Sequence, residues 1–205
     1  NIQLVGLEKE TPASGGRFTI NADALVKDIK KTDLVIIPAV DGNLGEAIEI
    51  NKDLAPWIVQ QYGKGAEIAS LCVGAFILAN TGLVNGKKCA THWAAENEFR
   101  RMFPEVNLVT EKILTDENGI YSSGGAFSYL NLILHLIEKY AGREMSMLLM
   151  KMFAIEIERD NQRRTDLLES ASQQIQALQE RAGTDLEIFV DGGPVSTKAE
   201  TGCTS

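Results

Sequence analysis

Apolar residues in this chain fall into short runs separated by polar, glycine-containing stretches, and two kinds of spacing alternate. Asp33-Leu34-Val35-Ile36-Ile37 and Ala66–Leu71 are continuous apolar runs, the pattern of strands covered on both faces of a parallel sheet. Between them Ile48, Ile50, Leu54, Trp57 and Ile58 recur at helical spacing over Glu46–Tyr62, with Pro56 as a kink or a break. Before them, Ile2–Leu7 is an apolar run and Glu8–Gly16 reads as a turn. Arg17–Ile20 alternates as a hairpin partner would, and Asn21 is placed to cap a helix over Ala22–Lys30. After Cys72 the pattern predicts a helix to about Asn80, a strand over Lys88–Thr91 and a helix over His92–Phe103 ended by Pro104. Strands follow at Val106–Val109, Lys112–Leu114 and Ile120–Ser123. Phe127–Tyr140 is apolar on nearly every face and is expected to be deeply buried, and Glu144–Glu158 is a last helix. Strands alternating with helices imply an α/β fold with a mostly parallel sheet and helices on both faces.

The pattern changes after about Gln162. Leu167–Leu178 has the spacing of one amphipathic helix and Leu186–Val190 that of a short strand. The rest is rich in Gly, Thr, Ser and Asp, and residues 163–205 hold four basic and seven acidic residues. The expected organisation is therefore a domain over 1–162 and an acidic extension over 163–205.

Composition narrows the classes. A net charge of −8 over 205 residues argues against a primary nucleic-acid surface, which needs clustered Lys and Arg. The three cysteines, Cys72, Cys89 and Cys203, make no disulfide framework, so a reducing compartment is the simpler expectation. No run reaches the ~18 apolar residues of a membrane helix, and Asn1-Ile2-Gln3-Leu4 has no basic leader pattern. A cytoplasmic protein without membrane contact is expected. No phosphate-loop motif and no metal-ligand spacing is present, so neither a cofactor nor a metal is expected.

The candidate chemistry lies in Ser70-Leu71-Cys72-Val73-Gly74-Ala75-Phe76. Sites in parallel sheets form at the carboxyl ends of strands, where both Cys72 and the loop Pro38–Gly42 fall. A cysteine between a strand end and a helix start is exposed on a tight turn, and helical N–H groups and the helix dipole favour its thiolate. Gly74 relieves crowding at such a turn, and the Val73 N–H would face a developing oxyanion. The alternative is an inert buried thiol. His92, in Ala90-Thr91-His92-Trp93, also ends a strand and is the candidate proton partner. His135, mid-helix among leucines, reads as a core or surface-edge histidine. Cys89 reads as packing, Cys203 as incidental and Glu96 as a solvated glutamate. Trp57, Trp93 and the cluster Met145, Met147, Met150 and Met152 read as core, a ligand pocket or dimer face being the alternatives.

The block from Ser70 to Ala79, then Thr81-Gly82-Leu83-Val84-Asn85-Gly86, then Ala90-Thr91-His92-Trp93, resembles the ThiJ/PfpI family of the class I glutamine amidotransferase-like superfamily. Phe103-Pro104-Glu105-Val106 and Ser122-Ser123-Gly124-Gly125-Ala126 extend the likeness. The pattern is most similar to the sensor domain of AraC-type transcriptional regulators, and isonitrile hydratases share much of it. The resemblance covers roughly residues 1–160. It implies a flavodoxin-like three-layer α/β sandwich, a homodimer, Cys72 as the elbow cysteine and His92 as its nearby histidine. It also implies Gly124 and Gly125 near the same pocket.

Three departures bear on function. Members usually begin with a strand whose following loop brings a carboxylate near the cysteine, whereas this chain opens at what reads as the second strand. Many members carry a Gly-Gly pair where this chain has Pro38-Ala39-Val40-Asp41-Gly42. Regulators continue into helix-turn-helix units, a pattern that residues 163–205 lack, so DNA would be reached only through a domain outside this chain. The expected function is ligand sensing, with a small metabolite held by Val40, Asp41, Gly42, Cys72, Val73, His92, Trp93, Gly124 and Gly125. The alternative is a cysteine-dependent hydrolase or hydratase using Cys72 and His92, and a further one is a sensor in which Cys72 is oxidised.

Overall fold

Chain order explains the layering. The computed structural model describes residues 1–155 except 14, 15 and 126, together with the main chain of 189–190 and 193–194. Strands β1 (Val5–Gly6), β2 (Glu10–Ala13), β3 (Phe18–Asn21), β4 (Ala24–Leu25) and β5 (Leu34–Ile37) come first, followed by helices α1 (Leu44–Ile50) and α2 (Leu54–Gly63). Then come β6 (Glu67–Leu71), α3 (Ala75–Asn80), β7 (Lys88–Cys89), α4 (Glu96–Met102), β8 (Asn107–Leu108), β9 (Leu114–Asp116) and β10 (Ile120–Ser123). Helices α5 (Ser128–Ala141) and α6 (Arg143–Met152) follow, then the strand pair β11 (Phe189–Val190) and β12 (Gly193–Pro194). The chain divides into two compact units, Asn1–Arg159 and Asp160–Ser205.

The central sheet has the order β5-β6-β10-β9. The first three strands are parallel and in register, with Ile37 opposite Ser70 and Ser70 opposite Ser122, so their carboxyl ends lie side by side. Only β9 is antiparallel. Because strand side chains alternate, Ile68 and Ile120 face one layer and Ala69 and Tyr121 the other. The first face packs with Ile37 against Ile58, Phe76, Leu78 and Phe99 from α2, α3 and α4. Phe76 and Phe99 meet edge to face at 5.0 Å, and burying each such side chain contributes about 1.5–3 kcal/mol. The second face packs against Leu132 and Leu136 of α5. Helix α6 lies on α5, where Ser146 Oγ donates to the Leu134 carbonyl over 3.2 Å. The result is a three-layer α/β sandwich.

The structure corrects several expectations. No helix forms over Ala22–Lys30. Asn21 ends β3, Ala24–Leu25 pairs with Val5–Gly6, and only a single helical turn follows at Val26–Asp28. The Asp23 carboxylate accepts from the Leu4 N–H over 2.7 Å, so it ties two strands together instead of starting a helix. Glu10–Ala13, within the expected turn, is a strand. Two helices replace Glu46–Tyr62, and the break falls at 51–53, with Pro56 inside the first turn of α2, where its missing N–H costs nothing. The long helix is buried along Leu132, Leu134 and Leu136 but leaves Tyr129 and Tyr140 exposed. Met145, Met147 and Met152 are exposed too, against their expected place in the core, because the inner face of α6 is taken by Ser146 against α5. The expected helix Leu167–Leu178 lies outside the described residues.

Candidate functional site at the end of the central strand

Strand β6 ends at Leu71, and the next residue turns sharply. Cys72 sits at φ +53, a left-handed conformation that costs an L-residue roughly 1–2 kcal/mol. A single helical turn over Cys72–Gly74 leads directly into α3. The turn is held against its neighbours by main-chain contacts. A Cβ on Gly74 would stand 2.4 Å from the Pro38 carbonyl oxygen and 2.8 Å from that of Ile37, so only glycine fits against the end of β5. On the other side the buried Thr91 hydroxyl donates to the Cys72 carbonyl over 3.2 Å.

Thr91 is placed by the strand ends beyond it. The Ala90 N–H donates to Ser122 Oγ at 2.7 Å, and that hydroxyl pairs with Thr115 Oγ1 at 2.6 Å. The Thr91 carbonyl lies against Gly124, where a Cβ would approach it to 3.3 Å. A continuous series of contacts therefore joins Pro38, the Cys72–Gly74 turn, Thr91 and Gly124. Of the sequence-predicted residues, Cys72, Val73, His92 and Gly124 belong to this series or adjoin it in sequence. Gly125 accepts the first N–H of α5 at Ser128 over 2.9 Å. Thr91 and Ser122 were not anticipated. The one sequence signal for Thr91 was its position between a strand and His92.

His92 is half-buried and starts a helical turn, its Nδ1 accepting the Ala94 N–H over 3.2 Å. In the neutral ring that bond leaves the proton on Nε2. Trp93 is 58% exposed, with its ring 5.5 Å from that of His92, so it is not the core residue expected. Trp57 does pack on the core. In the loop after β5, Val40 packs on the core, while the Asp41 carboxylate accepts the Gly42 N–H over 2.8 Å and both residues are exposed.

The remaining candidates separate cleanly. Cys89 is fully buried, and burial pushes its thiol up to about 11, with Ser122 pulling the other way. Glu96 bonds Arg100 at 2.9 Å and Thr110 at 3.1 Å. His135 Nε2 lies 3.4 Å from an Asp116 carboxylate oxygen at the opposite end of the sheet from Cys72. Among the described residues no group of three His, Cys, Asp or Glu side chains is placed to hold a metal ion, and no helix is long and apolar enough to cross a membrane.

Set against known proteins, residues 1–139 match the DJ-1/PfpI family. The chain is 31% identical over 150 residues to the HTH-type transcriptional regulator GbdR of Pseudomonas aeruginosa, covering 73% of this chain and 40% of that protein. It is 27% identical over 143 residues to the regulator CdhR of the same species, covering 70% and 41%. It is 25% identical over 149 residues to isonitrile hydratase of Pseudomonas putida, covering 72% and 62%. The chain thus spans about two fifths of the length of those regulators. An AraC family transcriptional regulator from Pseudomonas putida superposes at a TM-score of 0.55 with 16% identity, over 73% of this chain and 78% of that one. Drosophila melanogaster DJ-1beta does so at 0.59 with 20% identity, over 73% and 78%. The flavodoxin-like sheet and the match over residues 1–139 have one reading: the chain belongs to the DJ-1/PfpI family.

Proposed function

We propose that this chain is the ligand-sensing domain of an AraC-type transcriptional regulator, acting as a homodimer and binding a small metabolite above the Cys72 turn. The observation that carries this reading is the convergence of the Pro38, Cys72–Gly74, Thr91 and Gly124 main chains at one end of the sheet. Parallel sheets place their ligand sites at such a point. The ligand would be held by Val40, Asp41, Gly42, Cys72, Val73, His92, Trp93, Gly124 and Gly125. The likeness to GbdR and CdhR supplies the regulatory context. DNA would be contacted through a separate domain. A ligand at a hundred times its Kd stabilises a protein by about 2.7 kcal/mol, enough to read as a rise in Tm. A panel of amino acids, amines and organic acids should therefore contain a stabiliser whose effect is lost in His92→Ala and Trp93→Ala. A panel with no stabiliser, or a shift that survives both substitutions, counts against the reading.

A second reading is supported by the left-handed φ of Cys72, since strain of this kind accompanies nucleophiles at strand-to-helix turns. Cys72 would attack a carbon electrophile, His92 would move the proton and the Val73 N–H would steady the anion. Turnover of an isonitrile or amide that disappears in Cys72→Ala would establish the enzymatic reading.

A further inference from the structure

The dipeptide Asn-Gly stands at Asn85-Gly86 and again at Asn118-Gly119, and it carries a chemistry of its own. With no Cβ on the following residue, the glycine amide nitrogen can reach the asparagine carboxamide carbon unhindered. A C–N bond forms there, the carboxamide C–N bond breaks, and ammonia leaves with the proton that the amide nitrogen gives up. Water then opens the resulting succinimide at either carbonyl, leaving aspartate or isoaspartate. Such losses are one reason asparagine is thermolabile. The fold treats the two copies differently. At the first, both reacting groups are held by one residue: Asn85 Nδ2 donates to the Glu105 carboxylate over 2.5 Å, and the Gly86 N–H donates to the Glu105 carbonyl over 2.8 Å. Both bonds must break before the nitrogen can attack.

Asn118 and Gly119 are the two-residue loop between β9 and β10. Glu117 and Ile120 exchange main-chain bonds of 2.9 and 3.2 Å across it. Both loop residues have positive φ, +57 and +79, the hairpin geometry that favours Asn-Gly. The Asn118 side chain is exposed, and among the described residues neither its carboxamide nor the Gly119 N–H is held by a hydrogen bond. The loop's carbonyls, by contrast, are both engaged. The Tyr62 hydroxyl donates to the Asn118 carbonyl over 3.1 Å, and the Ile68 N–H donates to the Gly119 carbonyl over 2.9 Å, where β6 begins beside β10. We propose that Asn118 is a site of spontaneous deamidation and isomerisation in the folded protein, and that Asn85 is shielded from it. The residues that suit the hairpin turn thereby make it chemically labile. Isoaspartate routes the main chain through its side-chain carbon and adds a methylene to a loop whose ends and carbonyls are already fixed. The product should loosen the start of the β6–β10 pairing.

Peptide mass spectrometry of the full chain, aged in mildly alkaline buffer at physiological temperature, tests the assignment. In the folded protein the Asn118 peptide should gain the mass of an amide-to-acid change and separate into aspartate and isoaspartate forms. It should do so on the order of tenfold faster than the Asn85 peptide, the margin that two hydrogen bonds to be broken imply. In guanidinium the two peptides should react at similar rates, because the fold sets the difference. An Asn118 peptide that stays unmodified in the folded protein overturns the proposal. So does an Asn85 peptide that keeps pace with it, or a gap that persists on unfolding. Asn118→Gly keeps the positive φ and removes the carboxamide. Ageing should lower the Tm of the parent in step with its isoaspartate content and leave that of Asn118→Gly unchanged. An equal fall in both would overturn the loosening assigned to this turn.

Discussion

The hydroxyl of Thr91 donates to the carbonyl of Cys72 over 3.2 Å, so the segment that carries His92 is fastened to the turn that carries the thiol. Thr91→Val keeps the shape and deletes the donor. The Cys72 carbonyl keeps the Ala75 N–H, so the variant loses one hydrogen bond, about 0.5–1.5 kcal/mol, which urea unfolding will register as a lower midpoint at unchanged slope. Thr91→Ser should recover most of the loss. The pH profile of Cys72 alkylation should shift in Thr91→Val and return in Thr91→Ser. A valine variant as stable as the parent would show that the bond carries no weight.

Gly74→Ala tests the other side of the turn. The added methyl would lie 2.4 Å from the Pro38 carbonyl oxygen, which is main chain and cannot swing aside. Overpacking of this kind costs about 1–3 kcal/mol or more, and the displaced turn should also lower the reactivity of Cys72. Thermal unfolding at the parent's Tm would refute the close approach.

At the far end of β6, Glu67 receives Lys139 Nζ on one carboxylate oxygen and the Tyr140 hydroxyl on the other, and Lys139 also bonds the Tyr121 hydroxyl at 2.6 Å. Burial pushes the Glu67 carboxyl up, but the bonds from Lys139 and Tyr140 outweigh it and hold it below its ordinary 4.5. Its stabilising contribution is therefore whole above that value and is lost as pH falls through the depressed one. Burial first, and then the bond to Glu67, push the Tyr140 hydroxyl up to about 12 from an ordinary 10.0. Its share is whole below 10.0 and fades as pH rises through about 12. Thermal unfolding across pH should show a shallower acid limb in Glu67→Gln and a shallower alkaline limb in Tyr140→Phe. Limbs that superpose on the parent's would exclude the network as their source.

The two described thiols should differ in reactivity. Cys72 is half-buried on its turn, whereas Cys89 is fully buried with its thiol pushed up to about 11. In a Cys203→Ser background, iodoacetamide near neutral pH should label Cys72 in the folded protein and reach Cys89 only on unfolding, as peptide mass mapping will show. Equal labelling of the two in the folded state would contradict this burial.

The layers and the site were legible to different depths. The continuous apolar runs at Leu34–Ile37 and Glu67–Leu71 announce the parallel sheet, and the residues after them sit at the strand ends where a site forms. Those runs depend on burial on both faces, a property that each residue declares for itself. The first thirty residues were harder. Leu25, Val26 and Ile29 are spaced for a helix, but pairing of Ala24–Leu25 with Val5–Gly6 and the bond from Leu4 to Asp23 prevail, and neither partner is local. Glu10-Thr11-Pro12-Ala13 looks like a turn by composition and is a strand because Phe18–Asn21 lies beside it. Thr91 and Ser122 were hidden because a hydroxyl's partner is set by which strand ends meet, which residue type alone does not state.

The two contacts that shape the elbow engage main-chain atoms: the carbonyl of Cys72, held by Thr91, and the Cα of Gly74, pressed against Pro38. Architecture and reactivity are thereby assigned to different atoms of neighbouring residues. The side chain at 72 can therefore change among residues that accept a left-handed backbone without loss of either contact, whereas Gly74, pressed against the end of β5, admits no substitute.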